Sequence, residues 1–479
     1  MTTAPISTAS DNPATPPRSP EGIKTAIAVL KQRLGDRVQT GQAIREQHGH
    51  TLTWIKNEPP DAVVWPNDTD EVRDIVRIAS EHNCPIIPFG AGTSLEGHVN
   101  APQGGISLDF QNMKEVIAVN HEDLDVVVQP GISREELNDY LRDTGLFFPI
   151  DPGAANATLG GMAATRASGT NAVLYGTMRE NVMNVTTVMA DGSVVKTGGR
   201  SRKSSAGYDL TRLMVGSEGT LGIITELTVR VYGIPETILA AVCPFKSIEG
   251  ACNSVIQSIQ LGLGVARMEL LDAMQVRATN FHSKTDFEEC PMLFLEFHGT
   301  PVSARDQVEN FKAIAEEEGA LRFDWAEREE DRNKLWKARH DAYWAVRTMW
   351  PGMDTLASDV CVPVSRLAEC VAETVKDIED HGLIAPIVGH VGDGNFHTSP
   401  VFDPANPAEK RKIEEFLSRL SKRAIAMEGT CTGEHGVGQG KRKYLEAEHG
   451  AGLAIMRQIK ATLDPQDIFN PGKILPAST

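Results

Sequence analysis

The sequence predicts an α+β protein built from more than one domain, on three observations. Its 479 residues suit two or three domains of ordinary size. Short apolar runs closed by glycine or proline alternate with helical periodicity, while Ile106 to Val128 carries strand patterns and no helix. Two Asp-Gly pairs, Asp191-Gly192 and Asp393-Gly394, each lie between strand-like runs and predict antiparallel hairpins.

Taken in order, residues 1–20 are rich in Thr, Ser, Pro and Ala, and Arg18 is their one basic side chain. They read as a disordered tail rather than a secretory or organelle signal. Ile23, Ile27, Leu30 and Leu34 repeat at helical spacing over 20–35. Asp68 and Glu71 signal a helix N-terminus ahead of Val72, Ile75, Val76 and Ala79, with a stop near His82-Asn83. A buried strand over 85–89, a loop over 90–97 and strands over 105–108, 116–119 and 125–128 follow. A helix over 133–145 is stopped by Gly145. Small residues then dominate as far as Gly222. Residues 151–153 and Gly160-Gly161 read as loops, 186–190 and 194–197 as hairpin strands, and 221–232 as a further strand. Pro235 marks a domain boundary. Beyond it, strands such as 240–243 and 292–297 alternate with polar helices expected at 303–319, 329–348, 365–380, 407–428 and around 441–464.

Composition excludes several classes. Hydrophobic content of 41% and charged content of 23% describe a soluble globular enzyme. A net charge of -17 opposes a nucleic-acid partner, because phosphate binding needs a basic surface. No apolar run reaches transmembrane length. The seven cysteines are odd in number and show no C-x-x-C spacing, which fits reduced thiols rather than a disulfide frame, zinc ribbon or iron–sulfur site.

The stretch His390-Val391-Gly392-Asp393-Gly394-Asn395-Phe396-His397 carries chemistry. A two-residue turn at Asp393-Gly394 would pair Gly392 with Asn395 and Val391 with Phe396, so His390 would face His397 directly. Facing residues hold their Cβ atoms roughly 5 Å apart, close enough for two imidazoles to share one metal ion. Glu434-His435, in a glycine-rich loop, would add a third ligand and an acid/base. The plainer alternative is a hydrogen bond between two histidines across a hairpin.

The glycine-rich loops need a separate reason. Gly90-x-Gly92 is not a dinucleotide fingerprint, since the third glycine comes only at Gly97 and no helix follows. Gly436 to Lys441 resembles a phosphate loop only superficially, because Arg442 stands where Ser or Thr would be needed. Two readings stay open from glycine alone: tight turns, or backbone brought close to a bulky diphosphate cofactor.

The order of motifs is more specific. Pro88-Phe89-Gly90-Ala91-Gly92-Thr93-Ser94, Asp151-Pro152-Gly153, Thr158-Leu159-Gly160-Gly161, Gly176 and Gly216 to Ile224 resemble the FAD-linked oxidase family of the vanillyl-alcohol oxidase type. Asn470-Pro471-Gly472-Lys473 matches a terminal signature of the same family. The resemblance runs from about residue 50 to the C-terminus. It implies a two-subdomain FAD-binding domain of the PCMH type over 21–233. It also implies an α+β substrate (cap) domain with an antiparallel sheet over 234–460, and a segment over 461–479 returning to the FAD domain.

Carried onto this chain, the resemblance implies FAD contacts in four groups. The first loop offers Pro88, Gly90, Ala91, Gly92, Thr93, Ser94, Gly97 and His98, with Pro130 beyond it. The second offers Asp151, Pro152, Gly153, Thr158, Gly160, Gly161, Ala164, Ser168 and Gly169. Tyr175 and Gly176 form a third group. Glu218, Gly219, Gly222, Ile223, Ile224 and Asn470 form the last. Many relatives attach flavin to a histidine in the first loop. Gly92-Thr93-Ser94 stands there here, so non-covalent FAD is expected, with His98 packing or hydrogen-bonding nearby.

The second half is similar to the D-2-hydroxyacid dehydrogenase branch, through His390-x6-His397 and Thr432-Gly433-Glu434-His435-Gly436. Residues 335–340 (Leu-Trp-Lys-Ala-Arg-His) and 358–363 (Ser-Asp-Val-Cys-Val-Pro) look like the D-lactate dehydrogenase (cytochrome) group. D-2-hydroxyglutarate dehydrogenases usually place a lysine where Ala357 stands, so a second substrate carboxylate would lack its cation. The implied reaction oxidises a D-2-hydroxyacid, first of all D-lactate to pyruvate, with hydride passing to flavin N5. Arg339 would grip the carboxylate. A divalent metal on His390, His397 and Glu434 would lower the hydroxyl pKa, and His435 would take the proton. Asn395 is either a turn residue or a substrate contact. The ligand set suits zinc, manganese or iron, and the family leans to zinc or manganese.

The implied electron acceptor is cytochrome c, a quinone or an electron-transfer flavoprotein. Alternatives are D-2-hydroxyglutarate dehydrogenase, a glycolate oxidase FAD subunit or, more distantly, a non-redox transferase on the same fold. The oligomeric state is left between monomer and homodimer. The expected location is cytoplasmic or peripheral to the inner membrane, and mitochondrial in a eukaryote.

Overall fold

Apolar periodicity sets the first layer. The computed structural model describes residues 18–476. Most of the expected tail therefore lies outside the described residues, but its last residues do not. Ser19 caps helix Pro20–Leu34 by accepting the Gly22 N–H at 3.1 Å. Helix Thr69–Glu81 starts as expected, with Asp68 accepting the Glu71 N–H at 2.8 Å. Both helices bury apolar stripes against a sheet ordered Val38–Gln39, Ala62–Val64, Ile106–Asp109, Ile86–Phe89. The last three strands run parallel and are almost wholly buried, as a covered parallel sheet requires. Ile468 and Phe469 join this core, and Phe469 bridges Ile86.

A second, antiparallel sheet runs Val116–Asn120, Asp125–Val128, Ile223–Arg230, Val182–Val188, Val194–Lys196. The third sheet, in the second half, has seven strands. Its order is Asp324–Ala326, Thr237–Pro244, Met292–Gly299, Val265–Leu271, Ile387–His390, Asn395–Thr398, Val360–Cys361, all antiparallel. Alternation of side chains divides its two faces. Leu239, Ala241, Met268, Leu270, Leu293, Leu295, Ile387 and Phe396 pack under helices Ile248–Gln260, Pro301–Glu317, Leu367–Asp380 and Pro407–Ala426. The intervening positions, Arg267, Glu269, Glu296, His390 and His397, share the other face. Strand period thus collects the polar residues of the second half on one surface.

Several sequence expectations are corrected. Gly160 and Gly161 lie inside helix Leu159–Thr165 rather than in a loop, because Thr158 supplies an N-cap by accepting from the Gly161 N–H. The 329–348 helix is broken at Asp341 into Glu329–His340 and Ala342–Met349. Phe110–Asn112 forms a 3-10 turn within the stretch read as helix-free. Strand Val265–Leu271 was not expected, and neither were helices Ile248–Gln260 and Ala273–Ser283.

Both Asp-Gly pairs lie in hairpin turns between antiparallel strands, but the second departs from the expected two-residue form. At the first, Met189 donates to Ser193 O at 2.9 Å and only Gly192 has positive φ. At the second, Val391–Asp393 is a 3-10 turn closed by Gly394 at φ 79. Val388, not His390, therefore stands opposite His397. The slip is two residues, one full strand period, so His390 stays on the same face as His397.

Candidate active site

A cavity of about 690 Å³ opens between the two halves, within the ~300–1,000 Å³ usual for small-molecule sites. One wall is backbone and small side chains. Pro88, Gly90 to Ser94, His98, Pro130, Asp151 to Gly153 and Thr158 line it. So do Gly160, Gly161, Ala164, Ser168, Glu218, Gly219, Gly222, Ile224 and Asn470. Gly90 shows why: a Cβ there would collide with Thr158 Oγ1, so only glycine lets these loops meet. Backbone exposed in this way lets a bulky cofactor approach closely, and the surface fits FAD.

Five residues expected on this wall lie elsewhere. Gly97 has φ 74 and abuts the Gln439 side chain. Gly169 has φ 145 and packs on the Asp151 backbone. Tyr175 bonds His298 Nδ1 at 2.8 Å and packs edge-on against Phe147 and Tyr232. Gly176 closes helix Ala172–Tyr175 with φ 77. Ile223 is fully buried in the first core. Gly97, Gly169 and Ile223 each adjoin a lining residue, whereas Tyr175 and Gly176 stand five and six positions beyond Thr170; a motif does not draw that distinction.

Side chains build the facing wall, where Arg339, His390, His397, Glu434 and His435 all line the cavity. Glu434 Oε1 lies 3.2 Å from His390 Nε2 and 3.3 Å from His397 Nε2. One ligand atom from each of these residues lies within 4.8 Å of the others. The far ring nitrogens are tied back: His390 Nδ1 to Glu269 Oε1 at 2.7 Å, and His397 Nδ1 to Ser358 O at 2.8 Å. Such outer partners orient metal-binding imidazoles and leave both Nε2 atoms converging. Glu434 Oε2 is buried without a partner. Burial works against charge on His390, but Glu269 and Glu434 outweigh it and hold its pKa well above the usual value. Two converging imidazole Nε2 atoms and one carboxylate form a donor set that fits a divalent cation.

Glu269 was missed by sequence reasoning. It is fully buried, anchors His390 and also pairs with Arg339. A single Glu inside an unrecognised strand leaves no motif; only its place on the polar face of the sheet identifies it. Arg339 has a buried, unpartnered Nε beside the cavity.

His435 stacks on His397, with ring centroids 5.2 Å apart and planes at 6°. Burial pushes its pKa down to about 4, so the ring is neutral and its buried Nδ1 has no partner. Asn395 does not line the cavity. It donates to Asp359 Oδ1 and Val360 O, both at 2.8 Å, which makes it a framework residue rather than a substrate contact. Asp359 and Lys441, both buried, were not among the expected residues. Lys441 Nζ caps the carbonyls of Asp359 and Cys431 at 2.8 Å. The lining also includes Ala342, Tyr343, Trp344, Ala357 and Val388.

Comparison with known proteins agrees with this architecture. Residues 60–198 match the family described as FAD binding domain, and residues 234–474 match FAD linked oxidases, C-terminal domain. The chain is 48% identical over 458 residues to a probable mitochondrial D-lactate dehydrogenase of Danio rerio, covering 95% of this chain and 92% of that protein. It is 46% identical to the mitochondrial D-lactate dehydrogenase [cytochrome] of Arabidopsis thaliana, covering 95% and 80%. Among solved structures, p-cresol methylhydroxylase superposes with a TM-score of 0.78 at 16% identity, covering 95% of this chain and 97% of the other, and so shares the fold. With a backbone-lined wall in one half, a polar sheet face in the other and both family matches in place, the chain belongs to the FAD-linked oxidases.

Proposed function

We propose that the protein is an FAD-dependent D-2-hydroxyacid dehydrogenase acting on D-lactate, with a divalent metal held by His390, His397 and Glu434. The observation that carries this reading is the facing of two unlike walls across one cavity: glycine-rich backbone opposite Arg339, His435 and a three-donor cluster. The names of both relatives point the same way.

Bound FAD supplies the two-electron acceptor for the hydrogen on substrate Cα. A divalent metal, zinc or manganese, supplies Lewis acidity towards the substrate's oxygens. Arg339, oriented by Glu269, binds the carboxylate. Neutral His435 accepts the hydroxyl proton on a ring nitrogen. Its stacking on His397 holds the two rings nearly parallel, so the base keeps a fixed orientation. Glu269 links Arg339 to His390, so carboxylate binding and metal binding share one anchor. Ala357 and Val388 in the lining carry no charge for a second carboxylate, which favours a monocarboxylate.

Cytochrome c is the first acceptor to test, with a quinone or an electron-transfer flavoprotein as the alternatives. The reaction belongs beside respiratory electron carriers, in line with the mitochondrial names of both relatives. Among the described residues no helix is long and apolar enough to cross a membrane.

Anaerobic D-lactate should bleach flavin absorbance near roughly 450 nm, and oxidised cytochrome c should restore it. Prior chelation should abolish the bleaching. A tenfold preference for D-2-hydroxyglutarate would overturn the substrate, and bleaching that survives chelation would overturn the metal.

A further inference from the structure

We propose that Asp359 and Glu218, one from each half of the chain, are positioning residues that fix the loop 432–438 between the two walls of the cavity. The inference rests on the reading of Glu434 as a ligand and His435 as the base, and it concerns what holds them in place.

Asp359 Oδ2 accepts the backbone N–H of Glu434 at 3.0 Å, that of His435 at 2.9 Å, and the Thr432 hydroxyl at 2.8 Å. Its Oδ1 accepts Asn395 Nδ2 at 2.8 Å. Lys441 Nζ stands 3.6 Å from Oδ2, and His397 Nδ1 stands 3.7 Å from Oδ1. From the other side, Glu218 Oε1 accepts the Val437 N–H at 2.6 Å and Oε2 accepts the Gly438 N–H at 2.8 Å. His98 Nε2 lies 3.2 Å from the same Oε2. Two buried carboxylates thus hold four backbone amides of a single loop.

The chemistry requires carboxylates. The hydrogen-bond partners of Asp359 are all donors, and an acceptor-only group satisfies them. An amide in its place would oppose the backbone N–H groups of Glu434 and His435 in one orientation and Asn395 in the other. Asn395 cannot turn to relieve this without losing Val360 O. At Glu218, either orientation of an amide would oppose a backbone N–H. A mere scaffold has no need to clamp the amides of the ligand and the base themselves. A misplacement of about 1 Å there can cost about 100-fold in rate.

The test uses flavin-loaded protein stripped of metal, titrated with Mn²⁺, with flavin absorbance and melting temperature read in parallel. Asp359→Asn should weaken Mn²⁺ about 10–100-fold and lower kcat by a similar factor, with flavin content and melting unchanged. Glu218→Gln should keep flavin and Mn²⁺ but lower kcat about tenfold at unchanged KM. Thr432→Val removes one donor and leaves the carboxylate, so it should weaken Mn²⁺ in the same direction by less. Wild-type Mn²⁺ affinity in Asp359→Asn overturns the proposal. Should that variant fail to fold, wild-type affinity in Thr432→Val overturns it equally. The titration needs no substrate, so its outcome is separate from whether D-lactate bleaches the wild type.

Discussion

The two walls of the cavity differ in material. The flavin-side wall is backbone brought close by glycine, as where Gly90 meets Thr158. It is sensitive to added volume. The facing wall is side chains from distant segments, held by buried polar contacts: Glu269 with Arg339 and His390, and Glu434 with His390 and His397. It is sensitive to loss of a partner. A site built from shape and a site built from polar contacts therefore fail in different ways.

That contrast can be broken most sharply at His397. His397→Ala should lower kcat with D-lactate about 10⁴-fold, some 5 kcal/mol of barrier, while the protein stays yellow. Loss of flavin together with activity would show that the two walls are not separable. Next, His435→Ala should cost about 10³-fold in kcat and retain bound metal, as removal of a general base should. Metal loss in this variant would assign His435 to the ligand set instead. Gly90→Val probes the other wall. Its added volume should give protein that binds flavin about 100-fold more weakly, some 3 kcal/mol, with Mn²⁺ binding intact by titration. The smallest effect should come from Tyr175→Phe. It deletes the bond to His298, costs about 1 kcal/mol in denaturant unfolding, and leaves flavin content and turnover unchanged.

What was legible follows the same division. The flavin-side motifs are contiguous, so most of the expected lining residues do line the cavity. The misplaced ones, Gly97, Gly169, Tyr175, Gly176 and Ile223, sit within the motifs but turn into the framework. Helix Leu159–Thr165 was hidden because two glycines read as loop, and the Thr158 cap outweighs their low propensity. On the other wall His390, His397, Glu434 and His435 stood out as pairs close in sequence. Glu269 and Asp359 did not, since each is a single carboxylate whose partners come from distant segments.

By itself the sequence determined the α+β class, the glycine-rich segments, the closely spaced histidine pair and the net charge of -17. All of these are local, periodic or compositional properties of the chain. Only the tertiary structure decided the register of His390 against His397, the shared anchor at Glu269, and the clamping of the Glu434 loop by Asp359 and Glu218. Those depend on which strands lie side by side, and buried charges choose their partners only once water has been excluded around them.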